Sequence, residues 1–185
     1  MLARSHVLLG LAGWSVAAVK SGYPLEAAPL GAAALGSLAP DLDHPGSWLG
    51  RRLWFISHPL SSLVGHRGVT HSLLGIAALG AALWLWGGVA GGLVAAFVVG
   101  YLSHLGADWL THAGLPLLWP WQHRFSAPVT VQTGGAGETA WVVLLLGGAA
   151  VVLAGLGPEL VALADEYTRP WIDRGVEGWR ELLER

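Results

Sequence analysis

The chain has 185 residues, of which 54% are hydrophobic and 12% are charged, with a net charge of −2 and no cysteine. The lack of cysteine excludes disulfides, thiolate metal ligands and cysteine nucleophiles, and the small net charge gives no reason to expect a nucleic acid partner. Soluble domains have about a quarter of their residues charged, so half that fraction, with a mean hydropathy of +0.54, predicts a membrane protein.

Five apolar helices are predicted along the chain. Residues 5–19 and 27–40 contain no Asp, Glu, Lys or Arg but are short, so by length each suits a buried or re-entrant helix as well as a membrane span. Residues 72–103 form a long uncharged run that a Gly-Gly pair at 87–88 divides into a predicted hairpin of two spans. Residues 139–158 have the length of one span. The sequence therefore predicts an all-α, polytopic helical membrane protein with about five apolar helices.

The two ends of the chain allow further predictions. The first apolar run, preceded by Arg4, also fits a cleavable signal peptide, but we expect a retained helix. The tail from Glu159 mixes apolar residues with charges of both signs, which predicts an amphipathic surface helix. We therefore predict a membrane-embedded domain at residues 1–158 and an amphipathic C-terminal tail at residues 159–185.

Arginines predict how the helices are oriented. The polar loops at residues 41–70 and 113–138 together hold four arginines, and short loops that carry arginine face the cytoplasm. We therefore expect a protein of the inner (cytoplasmic) membrane, with both polar loops on the cytoplasmic side.

Candidate metal ligands stand at the ends of four of these segments, all at the predicted cytoplasmic face. They are the side chains of His6, Asp41, Asp43, His66, His71, His104 and Asp108. Each group alone has a simpler interpretation, as an interfacial histidine, a helix stop or a basic loop. His104 and Asp108 are the strongest pair, because residues four apart share one helical face and ionisable residues in spans are costly and usually functional. A set of His and Asp without thiolates suits zinc, with manganese or iron as alternatives.

Four motifs carry a resemblance to a known family. The segments RSHVLLG, APDLDHPGS, GHRGVTHSLLG and GYLSHLGADWLTHAGLPLLWPW occur in this order over about residues 1–125. Together they resemble the YdjM-like family of inner-membrane, metal-dependent hydrolases. More distantly, an Asp followed by a His and then His-x-x-x-Asp is similar to the zinc-dependent phospholipase C and nuclease group.

The resemblance implies roles for individual residues. It implies that one metal is bound by Asp41, His71, His104 and Asp108. It also implies that Asp108 bridges to a second metal and that His6 is an early ligand, while His66 is a further candidate. The chain lacks the N-terminal tryptophan of that group and has no histidine after His123. One or two zinc ions are therefore expected, rather than three.

These ligands predict a membrane-bound hydrolase that cleaves a phosphoester with a metal-activated water. Asp43 is predicted to orient the water or accept its proton, and Arg67 to hold a phosphate or, equally well, to set the topology. A site at the membrane face suits membrane lipids as partners and a lipid or lipid-linked substrate. The alternatives are a divalent-metal (zinc) transporter, although such sites lie near the bilayer midplane, and a metal-stabilised membrane scaffold.

Overall fold

The computed structural model describes residues 1–64, 68–85, 90–121 and 123–155, and in the tail residues 158, 162, 165, 166, 168–170, 172–174, 176 and 177. The chain divides into two compact units, Met1–Ala149 and Ala150–Arg185. The described residues of the tail from 158 onward are helical. The predicted amphipathic tail falls largely on residues outside the description and stays a prediction.

The described part of the chain is all-α, as predicted. The α-helices are α1 (Ala3–Ser21), α2 (Ala27–Leu38), α3 (Trp48–Arg52), α4 (Trp54–Val64), α5 (Leu73–Leu85), α6 (Gly91–Trp109) and α7 (Ala136–Leu153). A first 3-10 helix covers Ala39–Asp43 and a second covers Val69–His71. Extended pairing within the described residues is limited to two isolated bridges, between Thr111 and Val131 and between Leu115 and Phe125.

Helices form at each of the five predicted apolar runs, but they differ in length. Within the described ranges, α6 and α7 are long and apolar enough to cross a membrane, with 19 and 18 residues. Helix α5 is apolar but shorter, and α2 has 12 residues. The structure thus supports two candidate spans rather than five, and the predicted turn at 87–88 lies outside the described residues.

The segment predicted as a polar loop at residues 41–70 is helical over most of its described length. The sequence prediction was wrong here because hydropathy detects long apolar runs and not short capped helices. Ser47 begins α3 as its N-cap, since its hydroxyl oxygen accepts a hydrogen bond of 2.8 Å from the backbone N–H of Gly50. The second polar loop is irregular until α7 begins at Ala136.

Helices α1, α2 and α6 pack together as the centre of the first unit. Small residues allow this packing: a Cβ atom at Gly36 would lie 2.1 Å from the carbonyl oxygen of Phe97, and one at Gly100 would lie 2.0 Å from the carbonyl oxygen of Ala33. Backbones of α2 and α6 therefore touch directly, as in helix pairs that use small residues in lipid. This contact brings the end of α2 beside the C-terminal half of α6.

Candidate metal centre

His104 and Asp108 lie one turn apart on α6, and both are buried. The Nδ1 atom of His104 is 2.7 Å from the carbonyl oxygen of Ser37 in α2. A carbonyl oxygen can only accept, so Nδ1 must carry the proton and Nε2 must present its lone pair. Nε2 has no hydrogen-bond partner among the described residues, and it lies 3.8 Å from Oδ2 of Asp108. This is the arrangement of a histidine prepared to bind a cation.

Two further side chains converge on the same point from outside α6. Oδ1 of Asp41, in the middle of the first 3-10 helix, lies 3.9 Å from Nε2 of His104. Nε2 of His71, in the second 3-10 helix, lies 3.9 Å from Oδ1 of Asp41 and 3.9 Å from Oδ2 of Asp108. His71 is fully buried, whereas the Asp41 side chain is 19% exposed. Four donor atoms from three elements thus surround one small volume, and among these four side chains Asp41 is the most exposed.

Asp43 contacts the side of the His71 ring that faces away from the other three donors. Its Oδ2 atom is 3.5 Å from Nδ1 of His71 and accepts a hydrogen bond from the Thr70 hydroxyl. The Tyr101 hydroxyl in turn donates to the carbonyl oxygen of Thr70. A carboxylate on the far nitrogen of a histidine orients the ring and increases its basicity as a ligand. The position of Asp43 therefore favours this orienting role over the predicted contact with water.

His6 approaches the other oxygen of Asp108. Its Nε2 atom is 3.4 Å from Oδ1 of Asp108, and its ring stacks on that of His104 with centroids 3.7 Å apart and planes 13° apart. The backbone amine of Met1 lies 2.5 Å from the same Oδ1. The carboxylate of Asp108 thus faces two ways, with Oδ2 toward His71 and His104 and Oδ1 toward His6 and the Met1 amine.

The donors fit a divalent metal ion by number, chemistry and spacing. Two triads could hold an ion, one formed by His6, His104 and Asp108 and the other by Asp41, His71 and His104, with donor atoms within 4.8 Å of one another in each. Ligand atoms of a tetrahedral zinc lie about 3.3–3.4 Å apart, given bonds of about 2.0–2.1 Å. The separations of 3.8–3.9 Å are about 0.5 Å wider than that. Small side-chain rotations would close the difference.

The predicted site residues have different outcomes. Five of the predicted ligands lie together in the structure: His6, Asp41, His71, His104 and Asp108. Asp43 lies one layer behind them, and its catalytic role stays a prediction. His66 and Arg67 lie outside the described residues, so their predicted roles are untested.

Glu138 is a buried carboxylate beside the site that the sequence interpretation missed. It lies in the first turn of α7, is 2% exposed, and accepts hydrogen bonds from the Leu2 N–H at 2.8 Å, the Ser5 hydroxyl at 2.5 Å and the Gly134 N–H at 2.7 Å. It thereby holds the beginning of α1, which carries His6. An acidic residue at the very edge of an apolar run was the available signal, because such placement is costly without partners.

The comparison with protein families finds a match over most of the chain. The family model described as YdjM inner membrane protein matches residues 1–164, which include every donor above. The chain belongs to the YdjM inner membrane protein family. The predicted family resemblance and the predicted inner-membrane location are therefore confirmed.

Relatives of this YdjM-family chain are known from several bacteria. Inner membrane protein YdjM of Escherichia coli (strain K12) and that of Shigella flexneri are each 50% identical to it over 108 residues, 56% of this chain and 55% of the relative. The chain thus spans about half the length of these two relatives. Uncharacterized protein YvsG of Bacillus subtilis (strain 168) is 33% identical over 142 residues, 75% of this chain and 85% of the relative. No solved structure matches the chain.

Proposed function

We propose that this protein is a membrane-bound, metal-dependent hydrolase that cleaves a phosphoester. One observation supports the proposal most strongly: four His and Asp donors from three elements converge, and the Ser37 carbonyl fixes His104 with its Nε2 lone pair toward the other three. A purely structural cluster has no need of a buried histidine nitrogen that lacks a hydrogen-bond partner in the described part of the chain.

The side chains divide into ligands for a first metal ion and ligands for a second. Asp41, His71, His104 and Oδ2 of Asp108 would hold one ion, for which we propose zinc, and His6 with Oδ1 of Asp108 would contribute to a second. When bound, a divalent metal makes water nucleophilic near neutral pH and neutralises charge on a phosphoester. The protein provides no thiol nucleophile for the reaction.

The exposed fractions of the four donor side chains indicate the direction from which a substrate would approach. Asp41 is the most exposed of the four donors, at 19%, whereas the other three are at most 1% exposed. A phosphoester would therefore enter along the first 3-10 helix, with water reaching the centre from the same side. We propose a lipid or lipid-linked substrate, an arrangement of about five membrane helices, and a site that faces the cytoplasm.

The experiment uses the full chain in lipid nanodiscs. Metal content is measured by elemental analysis, the metal is removed with a chelator, and zinc, manganese or iron(II) is restored. Hydrolysis of a chromogenic phosphodiester and of phospholipids with different headgroups is followed in each state. We expect co-purified metal, loss of hydrolysis on chelation, and recovery with one of the restored metals.

A matched pair of histidine variants provides the control. His71→Gln removes a buried donor, whereas His112→Gln alters an exposed histidine that follows α6. We expect the first variant to lose metal and hydrolysis and the second to retain both. A wild-type protein that binds metal yet hydrolyses none of the substrates, or equal activity in the two variants, would contradict the proposal.

A further inference from the structure

Helix α4 turns two serines inward and large apolar residues outward, while His58 and Ser62 are also exposed. Ser57 is fully buried and Ser61 half-buried, while Phe55 is 58% exposed and Leu63 is 82% exposed. Phe55, Pro59 and Leu63 are spaced four apart and so form one continuous outward stripe. A helix at an aqueous surface turns its apolar stripe inward. The reversed pattern of α4 is that of a helix whose outer face contacts lipid.

The length of α4 limits how far the helix can extend through a membrane. Its 11 residues span about 16 Å at 1.5 Å per residue, roughly half of the hydrocarbon thickness of about 30 Å. Helix α4 is therefore too short to cross the membrane. An apolar face on such a helix suits the boundary between headgroups and acyl chains.

Charged and aromatic residues at the start of α4 match that boundary. Arg51 and Arg52 end α3 and are both exposed. The Arg52 guanidinium lies 3.8 Å from the centre of the Trp48 ring, and Trp54 is 64% exposed. Tryptophan is enriched at the membrane interface, and exposed arginines there attract anionic lipid phosphates.

This helix is directly connected to the candidate metal centre. Helices α3 and α4 pack against the first 3-10 helix, which carries Asp41 and Asp43. The hydroxyl of Ser47, the N-cap of α3, donates a hydrogen bond of 2.8 Å to the carbonyl oxygen of Asp41. The depth of α4 in the membrane would therefore also determine the depth of the metal centre.

We propose that α3 and α4 form a membrane-interface surface beside the metal centre. Phe55, Pro59 and Leu63 lie in the acyl-chain boundary of a bilayer that contains anionic phospholipid, and Arg51 and Arg52 contact its phosphates. This surface goes beyond the hydrolase proposal and does not depend on it. Its consequence is that the metal centre lies at the level of lipid headgroups.

The absence of cysteine from the chain allows a clean test with single nitroxide labels. Phe55→Cys and Leu63→Cys report on the proposed surface. Leu144→Cys, exposed on α7, reports on a candidate span, and Thr133→Cys reports on an exposed loop. In proteoliposomes, each label is relaxed by oxygen, which enters the bilayer, and by a water-soluble nickel chelate. We expect positions 55 and 63 to respond as position 144 does, with oxygen the stronger relaxant.

Two results would overturn the surface. If positions 55 and 63 respond as position 133 does, the helix lies in water. If both relaxants are excluded from them, a second copy or another protein covers the helix instead of lipid.

The lipid charge is tested with the arginines. Lipids that co-purify with the protein in native nanodiscs are quantified by mass spectrometry for the Arg51→Gln/Arg52→Gln variant and for Arg124→Gln, which alters an exposed arginine elsewhere. We expect the ratio of anionic to zwitterionic lipid to fall in the double variant, because two positive charges that attract anionic headgroups are removed. A ratio equal to that of Arg124→Gln would overturn the choice of anionic lipid.

Discussion

The Nδ1 atom of His104 lies 2.7 Å from the carbonyl oxygen of Ser37 and so joins α6 to the end of α2 inside the candidate metal centre. This hydrogen bond depends on a close approach of two backbones. A Cβ atom at Gly100, one turn before His104, would lie 2.0 Å from the carbonyl oxygen of Ala33. Helix packing and ligand orientation are therefore coupled through one glycine.

We expect Gly100→Ala to weaken metal binding. The added methyl group must separate α2 from α6, which lengthens the hydrogen bond between His104 and Ser37. Loss of such an outer partner typically lowers metal affinity by about 10- to 100-fold. Zinc affinity is measured by competition with a chelating dye. Gly106→Ala is the control, because a Cβ atom there meets open space on the same helix. Equal zinc affinities in the two variants would show that the helix contact at Gly100 does not affect metal binding.

Substitution of Asp43 can distinguish a residue that orients His71 from a residue that activates water. If its carboxylate orients His71, Asp43→Asn should weaken metal affinity by about 10- to 100-fold. Thr70→Val, which removes the hydroxyl that donates to Asp43 while keeping the shape of the side chain, should act in the same direction. Both metal affinities are measured by titrating metal into protein from which bound metal has been removed with a chelator.

The predicted role of Asp43 as the group that activates water has a different signature. It requires Asp43→Asn to bind metal as the wild type does while turnover at saturating metal falls. It also predicts no effect of Thr70→Val on metal affinity. Measuring metal affinity and turnover on the same samples decides between the two roles.

Much of the donor set could be predicted from sequence because helix periodicity is local. The four-residue spacing of His104 and Asp108 is enough to place both on one face of α6, and they lie together in the structure. Asp41 and His71 were predicted from their positions at segment ends. Their convergence depends on three elements packing together, which spacing alone does not determine.

The supporting groups could not be predicted in this way. The Ser37 contribution comes from a backbone carbonyl, which has no sequence signature, and its position depends on the contact at Gly100. Helices α3 and α4 were missed because their short apolar stretches alternate with Ser, Arg and Pro, which lowers any average over a span-length window. Their outward apolar face becomes evident only when exposure is known.

Glu138→Gln should loosen the beginning of α1. The carboxylate accepts from Leu2 and Ser5 through one oxygen and from Gly134 through the other, and an amide must place an NH₂ group against one of these donors. Hydrogen bonds to charged groups contribute about 1.5–3 kcal/mol each, so a loss of about 1–3 kcal/mol of unfolding free energy is expected. Thermal unfolding and hydrogen exchange at Leu2 and Ser5 measure the effect.

An exposed glutamate supplies the comparison for that variant. Glu26 precedes α2 and is exposed, so Glu26→Gln should leave stability and amide exchange near wild-type values. If Glu138→Gln is equally neutral, the buried carboxylate does not hold α1 in place.

The predicted orientation can be tested with single cysteines in a chain that has none. Glu26→Cys lies in the turn between α1 and α2, and Ser126→Cys lies in the exposed part of the second polar loop. We expect a membrane-impermeant thiol reagent to label position 26 in intact cells and position 126 only after permeabilisation. The reverse pattern would put the metal centre on the periplasmic side.

Asp108 separates a hydrolase from a metal transporter. Asp108→Asn keeps the size of the side chain but removes the charge that faces His6 on one side and His71 on the other. Helix α6 should persist, because position 108 is the penultimate residue of the helix and Asn is tolerated near helix ends. We expect folded, monodisperse protein with reduced metal content and hydrolysis lowered by orders of magnitude, since a metal site without its anionic ligand loses both affinity and the position of its water.

The control for this variant is Asp173→Asn, which alters an exposed aspartate of the tail and should retain wild-type metal content and hydrolysis. Zinc uptake into proteoliposomes is measured in parallel for the wild type and both variants. A hydrolase gives cleavage without net uptake, and Asp108→Asn abolishes the cleavage. A different result would establish a transporter: the wild type takes up zinc, Asp108→Asn abolishes that uptake, and none of the three proteins cleaves a phosphoester. The same ligands would then bind a metal ion in transit instead of a resident one.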